Sequence, residues 1–187
     1  MNKLYYLAPA IVPPIVCDNI IKRGLALPGQ NASIGFDKDH VDNNYRISII
    51  RWFYGPENLD IVNLITHHAT IANREHFGFD ISIGAHEFQF TEYYGHTKGK
   101  YDWHHDVWWE NPRAHDRKLS VVIQLSDPIQ YTGGDFEFGE ACDFNSLNFK
   151  PRGSVIVFPS FFRHKVHPVL TGTRYSLVSW VDGPKFR

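Results

Sequence analysis

The chain has 187 residues, of which 43% are hydrophobic, 15% aromatic and 21% charged, a composition that supports a packed core and excludes a disordered polyampholyte. Nineteen Lys and Arg against 20 Asp and Glu give a net charge of -1, which supplies no field to gather nucleic acid or an anionic membrane. Eleven histidines beside two cysteines and one methionine turn attention to imidazole chemistry. Cys17 and Cys142 lie too far apart for a Cys-x-x-Cys site, and both are expected to be inert thiols.

In chain order, apolar positions Ile15, Val16, Ile20, Ile21 and Leu25 predict a helix over 14–27, closed by Pro28-Gly29. Residues 30–44 are polar and rich in Asp and Asn, which predicts a surface loop leading into a strand at 47–53. A second helix begins near Pro56, with Leu59, Val62, Ile65, Ala69 and Ala72 at helical spacing, and ends before Gly78. Short β-rich segments then follow at 81–94, 101–109, 118–125, 136–142, 154–158, 162–169 and 174–181. Their regular spacing and turn residues predict two helices packed beside a β-sandwich or jelly roll. No apolar run approaches the roughly 20 residues of a membrane helix, and no leader-like N-terminal pattern is visible, so a cytoplasmic protein is expected.

One segment carries chemistry: Tyr101-Asp102-Trp103-His104-His105-Asp106. On a strand, His104 and Asp106 share a face while His105 points away. The later stretch Arg163-His164-Lys165-Val166-His167 offers another imidazole. Two histidines and one carboxylate with open positions are the donor set of non-haem Fe(II) oxygenases. Zinc hydrolases are the chemical competitor, although no His-Glu-x-x-His helix occurs. Trp103, Trp108 and Trp109 are expected in the core or lining a pocket rather than stacking single-stranded nucleic acid. Gly133-Gly134 is expected to form a hairpin turn.

The ordered set of His104-x-Asp106, Leu119-Ser120 through Pro128, Tyr131-Thr132-Gly133-Gly134-Asp135-Phe136 and Phe158 through Trp180 resembles a known family. It is similar, over about residues 88–183, to the prolyl 4-hydroxylase-type (PKHD-like) branch of the Fe(II)- and 2-oxoglutarate-dependent dioxygenases. That resemblance implies a mainly β protein with flanking helices (α+β), a double-stranded β-helix or cupin-like jelly roll. Residues 1–187 then form one dioxygenase domain, with helical support over about 1–80 and the core over about 81–183.

It also implies a site. His104, Asp106 and His164 match the metal ligands, with His164 chosen over His167 because Arg174, ten residues on, matches the anchor of the 2-oxoglutarate distal carboxylate. A guanidinium fork suits that task on its own chemistry. Ser176 is expected to add a hydrogen bond from the same strand face. Tyr94 and Gln124 match positions beside the cosubstrate, while Tyr101 and Trp180 are expected to wall the substrate pocket. Thr171-Gly172-Thr173 is expected to close a hairpin loop.

The implied cofactors are Fe(II), 2-oxoglutarate and O2, with ascorbate as an accessory reductant. The implied reaction is hydroxylation of an aliphatic carbon with release of succinate and CO2. A prolyl or other residue of a peptide or protein is the favoured substrate. A free amino acid or metabolite, or a non-catalytic jelly-roll binding module, are the alternatives. Segment 30–44 with Tyr45-Arg46-Ile47-Ser48 is a candidate for gating or recognition.

Overall fold

A computed structural model describes residues 4–33, 41–82, 87–139 and 144–186. The elements in chain order are β1 (Tyr6–Ala8), α1 (Pro14–Leu25), β2 (Gln30–Asn31), β3 (Arg46–Ile47), β4 (Ile49–Tyr54) and α2 (Leu59–Ala72). They continue with β5 (Glu87–Tyr94), β6 (Lys100–His104), β7 (His115–Gln124), β8 (Tyr131–Gly133), β9 (Phe136–Phe138) and α3 (Ser146–Phe149). The chain closes with β10 (Val155–Pro159), β11 (His164–Val166) and β12 (Val169–Pro184).

Both long helices start where the sequence says they should. Pro14 supplies a preset φ at the first turn of α1, and α2 follows a single 3-10 turn around Pro56. A π turn over Asn73–Phe77 ends that helical stretch at Gly78.

The larger sheet runs β1-β10-β7-β12-β5-β4-β2, with β8 attached to β12, and the smaller runs β3-β6-β11-β9. Alternation of side chains sets the layers. Phe88 and Phe90 of β5, Leu119, Val121 and Ile123 of β7, and Leu177 and Val181 of β12 pack with Cys17, Ile20, Ile61, Ile65 and Ala69 of the helices. Their strand neighbours Tyr93, Val122, Ile156 and Phe158 face the smaller sheet and meet Phe136, Phe138, Phe162 and Val166. The molecule is therefore a jelly-roll sandwich with both helices on the outer face of its larger sheet, as expected.

Several boundaries differ from the sequence expectation. The strand predicted over 101–109 stops at His104, because the N–H groups of Asp106 and Val107 both donate to the carbonyl of Ser160 instead of continuing a ladder. Thr171-Gly172-Thr173 is not a hairpin loop. The 16-residue β12 runs through it, pairing Gly172 with Tyr131 of β8. Gly133-Gly134 does turn the chain with φ of +74° and +63°, but it is not a hairpin: β8 pairs with β12, whereas β9 pairs with β11. The strand at 162–169 shortens to His164–Val166; of the one at 136–142, Phe136–Phe138 form a strand and residues 140–142 lie outside the described residues. Within 30–44, Gln30–Asn31 form an edge strand on β4 rather than loop. Cys17 is buried and free, while Cys142 lies outside the described residues. Trp108 and Trp109 are exposed, Trp109 by 53%, and so lie outside the core. Among the described residues no helix is long and apolar enough to cross a membrane.

Candidate active site

β6 and β11 pair with His164 opposite His104 and Val166 opposite Tyr101, so two residues of β6, Asp102 and Trp103, stand against one of β11, Lys165. That bulge turns both Tyr101 and His104 toward the sandwich interior, where their rings stack with centroids 3.4 Å apart. The imidazoles of His104 and His164 follow at 4.2 Å. Asp106, swung inward by its bond to Ser160, completes the group. Its oxygens lie 3.8 Å from His104 Nε2 and 3.7 Å from His164 Nε2. Among the described residues these three make the one cluster whose donor atoms all lie within 4.8 Å of one another.

Each donor is oriented from behind. His104 Nδ1 donates to the carbonyl of Asp102 at 2.7 Å, and His164 Nδ1 to that of Phe162 at 2.9 Å. A carbonyl only accepts, so the proton sits on Nδ1 and the Nε2 lone pair faces the cluster. Ser120 Oγ donates to Asp106 Oδ2 at 2.6 Å and contacts Ser160 Oγ at 3.0 Å.

The electrostatics match. Burial, reinforced by His164, pushes the His104 pKa well below its ordinary value and keeps the ring neutral. Burial alone would raise that of Asp106. The neighbouring His164, His104 and Arg117 and the Ser120 hydroxyl outweigh it and hold the carboxyl at about 2. Two imidazoles with Nε2 turned inward and one carboxylate are a donor set that fits a divalent first-row metal.

A second feature shares the same inner face. Arg174 is 2% exposed and forms no ion pair among the described residues; its guanidinium lies 5.6 Å from the Tyr93 ring. A buried cation without a counter-charge is costly and suits an anionic ligand. Ser176, two residues on, is buried on that face and pairs with Gln124 across the sheet. Gln124 donates to Tyr131 Oη at 3.0 Å, while its Oε1 is buried without a partner among the described residues.

Sequence reasoning thus names residues that the fold brings to one interior. His104, Asp106 and His164 meet, Tyr101 stacks on them, and Arg174, Ser176 and Gln124 share the inward face. Trp180 is inward as well, opposite Ser120, with the Arg117 guanidinium 3.7 Å above its ring. Tyr94 is the correction. It falls on the helix-facing parity of β5, and its hydroxyl donates to Glu92 at 2.5 Å, so Tyr93 rather than Tyr94 lies beside Arg174.

Ser120 and Gln89 also face this interior without having been singled out as site residues, and Arg46 reaches it from the Tyr45-Arg46-Ile47-Ser48 segment expected to take part in gating or recognition. A lone Ser or Gln in a strand has no motif; only the apolar parity of Phe88 and Phe90 marks Gln89 as inward. Beside β9 a separate cavity of about 450 Å³ is lined by Glu137 and His167 and by none of the three clustered donors.

Comparison with known proteins agrees with a jelly roll built around such a centre. Residues 88–182 match the family model of the 2OG-Fe(II) oxygenase superfamily. A PKHD-type hydroxylase of Synechococcus elongatus is 41% identical over 64 residues, 34% of this chain and 28% of that protein. One of Pseudomonas fluorescens is 30% identical over 88 residues, 45% and 38% of the two chains. The chain thus matches well under half the length of these curated relatives.

The solved viral collagen prolyl hydroxylase of Paramecium Bursaria Chlorella virus-1, a 2OG complex, superposes with a TM-score of 0.70 at 18% identity, over 97% of both chains. A prolyl hydroxylase of Trichoplax adhaerens, in complex with a hypoxia inducible factor peptide fragment, gives 0.73 at 16% identity over 96% and 83%. At these identities the structures establish the fold. The family model covers about half of the chain, and the protein belongs to the 2OG-Fe(II) oxygenase superfamily, whose cofactors are Fe(II), 2-oxoglutarate and O2.

Proposed function

We propose that this chain is a 2-oxoglutarate-dependent dioxygenase that hydroxylates an aliphatic carbon, of a prolyl or other residue in a peptide or protein, with release of succinate and CO2. The observation that carries this reading is the meeting of His104, Asp106 and His164 inside the sandwich, with the unpaired Arg174 on the same interior face. His104 and His164 would hold Fe(II) through Nε2 and Asp106 through its carboxylate. Arg174, helped by Ser176, would hold the far carboxylate of 2-oxoglutarate, with Gln124 beside it. The bound iron supplies the redox chemistry that activates O2.

The chain's own tasks are to orient and to exclude. The carbonyls of Asp102 and Phe162 fix the imidazole tautomers, and Ser120 fixes the carboxylate rotamer. Phe136 and Phe158, 5.4 Å and 4.8 Å from the His164 ring, keep water from that side. Tyr101 and Trp180 would wall the substrate side. Residues 1–187 are read as one dioxygenase domain with helical support over about 1–80 and its core over about 81–183. The buried free Cys17 accords with the reducing, cytoplasmic location included in this reading. The prolyl and peptide chemistry named for the Chlorella virus and Trichoplax proteins supports a peptide or protein substrate here.

Fe(II) and 2-oxoglutarate added under anaerobic conditions should give the visible charge-transfer band of their chelate, and Asp106→Ala or His164→Ala should abolish it together with substrate-independent succinate formation. A colourless wild type at saturating ligand, or wild-type turnover by either variant, would overturn the reading. A +16 Da change on a particular polypeptide in cells with active enzyme, absent without it, tests the substrate class.

A further inference from the structure

A second buried guanidinium borders the same interior. Arg46 of β3 is 7% exposed, and its side chain crosses from the smaller sheet to the larger. It donates from Nη2 to Gln89 Oε1 of β5 at 2.7 Å, from Nε to Ser48 Oγ at 3.1 Å and from Nη1 to the carbonyl of Ser33 at 3.3 Å. Its Cζ lies 4.2 Å from the centroid of the Tyr101 ring, which in turn stacks on His104.

All of these partners are neutral, and among the described residues no carboxylate pairs with Arg46. Of five N–H groups three are used, so the fork keeps donors in hand. Burying a charge against neutral acceptors alone is unfavourable, and a structural role at this seam would be met more cheaply by an uncharged side chain.

Among the described residues the other charges of the interior do not answer it. Asp106 belongs to the metal-fitting cluster, and the diacid assigned to Arg174 is offset by that arginine and by the ion. Arg46 is left as a positive group one aromatic ring away from the ligand His104.

Two indole rings stand on the strands beside it. Trp52 stands directly across β4 and β5 from Gln89, and its ring centroid lies 6.3 Å from that of Trp180. Trp180 Nε1 is a buried donor with no hydrogen-bond partner among the described residues. A guanidinium with spare donors and an unpartnered indole N–H, flanking two aromatic faces, call for an acceptor-rich anionic group carried on an apolar body.

We propose that Arg46 anchors a carboxylate of the substrate, making it a specificity-determining residue that selects an acidic substrate for the reaction proposed above. The inference rests on that reaction only for the word substrate; the anion site stands on the burial and partners of Arg46. The carboxylate can come from a free amino acid or from an Asp or Glu side chain next to the target residue in a peptide.

Two matched pairs separate these sources: N-acetyl-L-proline against its amide, and Ac-Pro-Asp-NH2 against Ac-Pro-Asn-NH2. Each is titrated into anaerobic protein loaded with Fe(II) and 2-oxoglutarate, with binding read by calorimetry and by perturbation of the visible band. In at least one pair the acid should bind at least tenfold more tightly than its neutral twin, and Arg46→Gln should erase that preference while the band itself persists. Arg46→Lys, which keeps the charge, should restore part of it. Equal binding, or no binding, of acid and amide in both pairs, or a preference that survives Arg46→Gln, overturns the proposal. Loss of the band in the wild type would instead strike the reading of the metal centre, so the two failures are distinguishable.

Discussion

Gly134 offers a clean test of what Arg174 does. It adopts φ of +63°, and a methyl group on its Cα would lie 2.9 Å from Arg174 Cδ and 3.0 Å from Val169 Cγ2. Gly78 adopts nearly the same backbone conformation, φ of +65°, with nothing within 4 Å of that position. Alanine at either site places an L-residue in the left-handed region, which costs roughly 1–2 kcal/mol in urea unfolding of both variants, and Gly134→Ala should lose more because its methyl group also crowds buried Arg174 and Val169.

Only Gly134→Ala presses on the arginine. Carbon pairs settle at about 3.5–4.0 Å, so Cδ must retreat by more than half an ångström and carry the guanidinium with it. Hydrogen bonds to charged groups contribute about 1.5–3 kcal/mol. Losing half of such an interaction weakens binding by about three- to tenfold. The 2-oxoglutarate dissociation constant, measured from the visible band of the anaerobic Fe(II) protein, should therefore rise by about three- to tenfold in Gly134→Ala and stay unchanged in Gly78→Ala. Wild-type cosubstrate affinity in Gly134→Ala, alongside the larger stability loss that reports the crowding, would show that Arg174 does not grip the diacid.

Ser120→Ala removes the 2.6 Å bond that fixes Asp106, and partners of this kind typically govern metal affinity by about 10–100-fold, so Fe(II) titration should show a loss in that range with the fold retained. His68 gives a pH prediction: burial, then the adjacent His67, lowers its pKa to about 4. From the ordinary 6.5 down to about 4 the unfolded chain binds a proton that the folded chain refuses, so stability should fall through that window, by up to about 3 kcal/mol, and level off below it. His68→Leu should flatten that part of the stability profile, and an unchanged slope would exonerate His68. Gly24 of α1 meets the fully buried Phe90 ring, with a Cβ there only 2.7 Å from Cγ, so Gly24→Ala should lower the melting temperature despite the better helix propensity of alanine.

The two helices, the sandwich and the interior residues were legible because periodicity and spacing survive small errors in strand ends. The grouping of His104 with Asp106 was read from strand alternation, yet the strand ends at His104. The carbonyl of Ser160, which lies 54 residues further along the chain, is what draws Asp106 inward. Nothing local to residues 101–109 announces that bond. Tyr94 shows the opposite failure. Its spacing from His104 suggested a cosubstrate contact, whereas the strict period of two, anchored by the helix-facing Phe88 and Phe90, gives the inward place to Tyr93. The bulge that sets Tyr101 on His104, like the pairing of Ser120 with Asp106, exists only as inter-strand register.

The distribution of polarity between the two faces of one sheet is the deeper signal. Toward the helices, β5, β7 and β12 present Phe88, Phe90, Leu119, Val121, Ile123 and Leu177, as a surface that only has to pack would. Toward the smaller sheet the same strands present Gln89, Thr91, Ser120, Gln124, Arg174 and Ser176, all buried. A sandwich built only for stability would fill that second face with branched aliphatics, since each buried polar group must find a partner before it stops costing free energy. Here the partners are incomplete: Gln124 Oε1 and Trp180 Nε1 have none, and neither Arg46 nor Arg174 has a counter-charge among the described residues. Three of those four deficits are donors or cations on one inward side, Trp180 Nε1, Arg46 and Arg174, and only Gln124 Oε1 lacks a donor. Carboxylate oxygens are what the three lack, so binding ligands rich in them should supply those acceptors and raise the stability of the fold.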